Sequence, residues 1–246
     1  MAYQHRQSAP DATDKRPRVG IGVIAGAIVL FGFTLLYLYF TQDSKWLFWL
    51  ALGPCLVLTA ITINFFRIPS RTFRGPFFDG REVIASADGR IVVIEEVYEE
   101  ECLKRKCIMV STFMSVTNVH ANWIPVKGEV LEITHHDGNF LKAYLPKASI
   151  ENEHTTVHIR TAEGHEIVVR QVAGALAQRI LTWIKEGEKV QFDTLMGFIL
   201  FGSRVDLFLP LGTDVKVSLD EPVRANETLI AVLPKTAEKG AGAQNE

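Results

Sequence analysis

The chain has 246 residues, with 26 basic against 28 acidic side chains and a formal charge of −2, so no strong basic field marks it for nucleic acid. That length suits one catalytic-size domain with an appendage. The three cysteines, Cys55, Cys102 and Cys107, lack the second Cys/His pair of a zinc site and read as reduced thiols rather than a disulfide.

In chain order, residues 1–66 read as a polar N-terminal tail followed by a membrane helical hairpin. The first uncharged run, about 19–40, is VGIGVIAGAIVLFGFTLLYLYF, and the second, about 46–66, is WLFWLALGPCLVLTAITINFF. Each reaches the length of about 20 apolar residues that a bilayer crossing needs. Tyr37, Tyr39, Phe40, Trp46, Trp49, Phe65 and Phe66 cluster at the ends, where an interfacial aromatic belt sits. The link TQDSK is short enough to force a hairpin, so both outer flanks share one side. Lys15, Arg16 and Arg18 precede the hairpin and Arg67, Arg71 and Arg74 follow it, which places both flanks in the cytoplasm by the positive-inside rule. A shallow re-entrant hairpin is the alternative, and it puts the remainder of the chain on the same side.

Residues 67–234 switch to short alternating runs separated by glycine turns, the pattern of an antiparallel β domain. Two strands are predicted about Asp88-Gly89, further ones about Lys127-Gly128 and Asp137-Gly138, and a hairpin across Glu163-Gly164. One helix is predicted over GALAQRILTWIKEG, residues 174–187, because Leu176, Ile180, Leu181 and Ile184 fall at helical spacing. GEKVQFDTLMGFI and DEPVRANETLIAV form a weak internal repeat like the paired hairpins of lipoyl-type domains. The fold expected is therefore mainly β, an antiparallel barrel or sandwich with lipoyl-like hairpins and one or two helices. The tail, 235–246, is small and polar and is expected to be disordered.

Near the end lies LMGFILFGSRVDLFLP, two apolar strands interrupted by Gly202 and Ser203. A glycine inside a strand pattern marks a bulge or a close backbone approach. His120 stands in a polar break, STFMSVTNVHANWIP, and Asp88 in the turn SADGR. Each alone has an ordinary structural explanation; together they supply a hydroxyl, an imidazole and a carboxylate, the set that activates a nucleophile where a fold assembles it. His135, His136, His154, His158 and His165 sit among polar neighbours without the helix spacing of a zinc enzyme, so no metal is expected.

From about Phe65 to Val232 the chain resembles the phosphatidylserine decarboxylase proenzymes, specifically the short bacterial branch. The blocks that carry this, in order, are FFRIPSR, SADGRIVVIEEV, FMSVTNVHANWIPVKGEV, GNFLKAYLPKASIENEH, VRQVAGALAQRI, EGEKV and GFILFGSRVDLFLP. The resemblance implies self-cleavage between Gly202 and Ser203, leaving a β chain, 1–202, and an α chain, 203–246, as a heterodimer. It implies a pyruvoyl group made from Ser203, which forms a Schiff base with the amine of phosphatidylserine and draws off the electrons left by carbon dioxide. His120 matches the family's motif histidine, a candidate for orienting substrate or protonating the carbanion. Asp88 matches the motif aspartate, assigned to self-cleavage and to orienting His120. Longer relatives carry a second histidine where this chain has Trp123, so either His120 serves both steps or another group helps; Val116-Thr117 also replaces the usual Pro-Leu.

The localisation implied is the bacterial cell membrane with the catalytic domain on the cytoplasmic side, and the partners are phosphatidylserine and membrane lipid. Arg67, Arg71 and Arg74 would also suit an anionic leaflet, at about 1 kcal/mol per charge. Two rivals stand: a non-enzymatic membrane adaptor with a lipoyl-like domain, and a pyruvoyl decarboxylase for another serine-headed lipid.

Overall fold

A computed structural model describes residues 18–41, 46–138, 151–174, 179–200 and 203–235. Gly202, the tail beyond 235 and part of the helix expected over 174–187 lie outside the described residues.

Two helices open the chain, α1 (Arg18–Thr41) and α2 (Trp46–Phe65). Three of their threonine hydroxyls are satisfied internally: those of Thr34, Thr41 and Thr62 each donate to the carbonyl four residues back, at 2.7–2.9 Å. Pro54 sits inside α2. The segment Phe48–Phe65 is long and apolar enough to cross a membrane, whereas the apolar run of α1, Ile28–Thr41, is shorter. The side chains of Trp49, Leu56 and Ile63 are each 60% exposed or more.

Everything after α2 is built on antiparallel pairing. The strands are β1 (Glu82–Ile84), β2 (Gly89–Glu99), β3 (Arg105–Met114), β4 (Ala121–Trp123), β5 (Gly128–His136), β6 (His154–Thr161) and β7 (Glu166–Ala173). They continue as β8 (Ile180–Thr182), β9 (Lys189–Val190), β10 (Leu195–Ile199), β11 (Ser203–Pro210), β12 (Asp214–Val215), β13 (Pro222–Val223) and β14 (Leu229–Val232). Eight of them form one curled sheet in the order β13-β2-β3-β11-β7-β6-β5-β9. The barrel expected from sequence is thus a half-barrel, with β13 and β9 as its edges. Two three-stranded sheets, β1-β14-β12 and β4-β10-β8, accompany it.

The main core gathers Ile91, Val110, Met114, Val157, Val169, Met196, Val205 and Leu207 among others. A second core joins the end of α2 to the small sheet β4-β10-β8 through Phe65, Val119, Ala121, Trp123, Trp183, Leu195, Phe198 and Ala225. The hairpin across Glu163-Gly164 forms as expected, with Gly164 at φ 84°.

Two sequence expectations need correction. Ile180–Thr182, inside the expected helix, is strand β8, paired with β10. Ile180 enters the main core and Leu181 packs on the second, so the strand buries both faces and loses its polar alternation. The strands flanking Asp88-Gly89 do form, but they do not pair with each other: β1 joins β14, and β2 joins β13 and β3.

On the outer face, Glu99 accepts backbone N–H groups from Glu101, Cys102 and Leu103 and pairs with Arg170 at 2.9 Å. Glu101 meets His154 Nε2 and Arg170 at 3.0 Å each and accepts from Thr156 at 2.7 Å. Glu101, His136 and His154 are close enough to share a metal ion. Both carboxylate oxygens of Glu101 are already engaged, so the cluster closes as an ion-pair network that pins the β2–β3 connection to β6 and β7. Burial pushes the Cys102 thiol up to about 12 and the Cys107 thiol to about 11, and both cysteines are free.

Candidate active site

Ser203 is the first residue of β11, and β11 lies between β3 and β7. Ser203 pairs with Met114 on one side and Ala173 on the other. Side chains alternate along a strand, and Val205, Leu207 and Leu209 enter the main core, so Ser203 begins the core-facing row. The opposite row starts with Arg204 and Asp206, a fully buried pair at 2.7 Å. Ser203 is itself fully buried, and its Oγ has no hydrogen-bond partner among the described residues. Leaving a buried hydroxyl unpaired costs about 1–3 kcal/mol, so packing alone does not account for a serine here. The preceding strand, β10, belongs to a different sheet, so the two sides of the Gly202-Ser203 junction are held independently.

His120 precedes β4, and its carbonyl accepts the N–H of Ile199 at 3.2 Å, tying it to the end of β10. Its Nδ1 lies 3.0 Å from the Asn118 carbonyl. A carbonyl only accepts, so Nδ1 carries the proton and Nε2 presents its lone pair. Nε2 is buried and, among the described residues, unpartnered. Asn118 is held in turn, because its side-chain oxygen accepts from Ser115 N–H at 2.9 Å and Ser115 Oγ at 2.7 Å. Burial lowers the His120 pKa to about 4, against the opposing pull of the Asn118 hydrogen bond and the Asp88 charge. The ring is therefore a neutral base at physiological pH.

Asp88 occupies the bend between β1 and β2 and accepts from Ala225 N–H at 2.9 Å. Arg71 grips it with both terminal nitrogens, one at 3.0 Å. Asn226 holds the Arg71 carbonyl at 2.7 Å, and Glu227 lies 3.7 Å from Arg71 Nε. Arg71, read from sequence as a leaflet contact, is instead largely buried against Asp88.

Among the described residues, then, His120 and Asp88 share a corner through their electrostatic coupling, but no hydrogen bond joins them. None is described between His120 and Ser203 either; the two are linked through their neighbours. Asn122 donates to Met114 Sδ at 3.6 Å and accepts from Gln171 at 2.8 Å, and Met114 is the strand partner of Ser203. Trp123 is buried in the second core and its backbone N–H donates to Ser86 in the Asp88 bend at 2.9 Å. Sequence reasoning missed Asn64, Phe65 and Asn118 as parts of this corner. The FFRIPSR block was the available signal for Phe65 and FMSVTNVHANWIPVKGEV for Asn118, while Asn64 stands just ahead of the first.

A family model described as phosphatidylserine decarboxylase matches residues 58–231. A phosphatidylserine decarboxylase proenzyme of Parabacteroides distasonis is 47% identical over 216 residues, covering 88% of this chain and 97% of the relative. Proteins of the same name from Porphyromonas gingivalis and Phocaeicola vulgatus are 46% and 48% identical, covering 87% and 86% of this chain and 96% and 91% of theirs. By class the chain is therefore a decarboxylating enzyme on a β scaffold. It belongs to the phosphatidylserine decarboxylase family, whose members are pyruvoyl-dependent.

Proposed function

We propose that the chain is a proenzyme that cleaves itself between Gly202 and Ser203 and then converts phosphatidylserine to phosphatidylethanolamine and carbon dioxide. The observation that carries the reading is the buried Ser203 hydroxyl, unpartnered among the described residues, at the opening of a strand paired on both sides.

In the first step Ser203 Oγ attacks the Gly202 carbonyl carbon and its proton passes to a neutral base, for which His120 Nε2 is the candidate. The Gly202–Ser203 C–N bond breaks and an ester forms. Removal of the Ser203 Cα proton expels the Gly202 carboxylate, which ends the β chain, 1–202. The dehydroalanine left on the α chain tautomerises, and water releases ammonia from it. Asp88, held by Arg71 and the Ala225 N–H, steadies the positive charge that His120 acquires. A pyruvoyl group fits position 203, where Ser203 Oγ is buried and takes no hydrogen bond among the described residues. When formed, it supplies the electron sink for decarboxylation. His120 then holds the proton destined for the product carbon. Pairing of β11 with β3 and β7 keeps the two fragments together as a heterodimer.

The helical hairpin, residues 1–66 with their tail, would anchor the catalytic domain, 67–234, on the cytoplasmic face of the bacterial cell membrane. A two-chain phospholipid stays in the bilayer, so the site must reach the leaflet surface. The exposed apolar surface of α2 supports this arrangement.

Intact mass under denaturing conditions tests the reading. Two chains are expected, the smaller beginning at position 203 and lacking one ammonia, and Ser203→Ala should leave one uncut chain. A single uncut wild-type chain in cells that make the product would overturn the proposal in favour of an adaptor. Assay of free serine against phosphatidylserine and an ether-linked analogue would then assign the substrate.

A further inference from the structure

Most of α2 is exposed, yet its last residue is not. Phe65 is only 2% exposed, whereas Ile63, two residues earlier, is 63% exposed. The Phe65 ring lies over the His120 imidazole, with centroids 4.1 Å apart and planes inclined by 31°. Phe198 of β10 meets Phe65 edge-on at 5.7 Å and stands 6.4 Å from His120. The residue before it, Asn64, donates from Nδ2 to the Thr117 carbonyl at 2.9 Å. Thr117 belongs to the turn whose next residue, Asn118, fixes His120 Nδ1. Two consecutive residues of α2 thus hold both the ring and the turn that aims it.

We propose that Phe65 is a positioning residue: it fixes and dries the imidazole of His120, so that the end of the membrane helix forms one wall of the catalytic corner. This rests on the decarboxylase reading above. A flat ring stacked on an imidazole removes water from one face and restricts rotation about its side-chain bonds. Desolvation disfavours the charged form of histidine, so an uncovered ring takes up a proton more readily and stops acting as a base. The charged groups tied to this corner are Asp88 from the β1–β2 bend, Arg71 from the segment after α2, which pairs with Asp88, and Arg67, which donates to Asn64.

The test is Phe65→Leu, which keeps an apolar side chain and the fold while losing the flat ring, with Phe65→Tyr as the conservative variant. Full-length proteins are compared in vesicles containing phosphatidylserine. With Leu, we expect kcat to fall about tenfold with little change in KM, the lower range of general acid–base effects. The acidic limb of self-cleavage, the step in which His120 is the base, should move from about 4 toward the ordinary 6.5. With Tyr, both should return close to the wild-type values, and Ile63→Ala, on the exposed face, should alter neither. A Leu variant with wild-type kcat and pH profile overturns the inference. So does a variant whose only change is a lower melting temperature, because that marks Phe65 as packing alone. If the wild type is itself uncut and inactive, the decarboxylase reading fails instead, and its intact mass reports that separately.

Discussion

Glu101 shows how single residues on this surface are tuned by their neighbours. Burial by itself would raise its pKa, but the His154 hydrogen bond, the Arg170 charge and the Thr156 hydroxyl outweigh burial and bring it to about 2. A carboxyl with a depressed folded pKa contributes stability above its unfolded value, and that contribution is lost as pH falls toward the folded one. The window here runs from about 4.5 down to about 2. Glu101→Gln should therefore melt at a lower temperature than wild type at pH 7, with the difference closing across that window. Thermal melts at stepped pH measure this; a constant difference at every pH would mean that the charge contributes nothing. At the active corner the same logic works in reverse. His120 is depressed by burial, and Nε2 has no partner among the described residues, which suits it to act as a base rather than a structural cation. Asp88, Arg71 and the Ala225 N–H form a closed set, so the carboxylate acts on His120 through its field and not through a hydrogen bond.

At the scale of elements, the determining feature is that the serine opens a central strand while the segment before it belongs to another sheet. The two runs about Gly202-Ser203 were legible in sequence, since Val205, Leu207 and Leu209 alternate with Arg204, Asp206 and Phe208. The candidate residues were legible only through ordered motif blocks, because their proximity depends on strand pairings hundreds of atoms apart along the chain. What misled was β8: Ile180 and Leu181 enter different cores, so a two-sided strand imitates helical spacing. Gly89 also read too simply, as a turn residue. A Cβ there would lie 2.1 Å from the Phe113 carbonyl oxygen, so glycine is needed for the close approach of β2 to β3 beside Asp88. Gly89→Ala should push β2 off β3 and cost about 1–3 kcal/mol, as overpacking does. It should also slow self-cleavage by shifting the Asp88 bend. Denaturant melts of the purified variant and the uncut fraction on denaturing gels check both parts; normal cleavage with normal stability would show that the strand pair yields without loss.

The whole molecule joins two apolar helices to a β domain. With 24 and 20 residues, α1 and α2 would span about 36 and 30 Å, against a hydrocarbon core of about 30 Å. The proposed anchor needs such lengths, and the buried end of α2 ties it to the β domain. A crossing hairpin makes a specific demand: the link TQDSK must face the opposite side of the membrane from the β domain. With Cys55, Cys102 and Cys107 replaced, Ser44→Cys and Glu96→Cys place one reporter thiol in the link and one on the exposed face of β2. A membrane-impermeant maleimide should label Cys at 44 only in vesicles sealed right-side out and Cys at 96 only in inverted ones. Labelling of both in inverted vesicles alone would mean a re-entrant hairpin that keeps the domain on the cytoplasmic face without crossing. Labelling of 96 from outside would reverse the orientation, and the positive flanks Arg67 and Arg74 would then need a role other than topology.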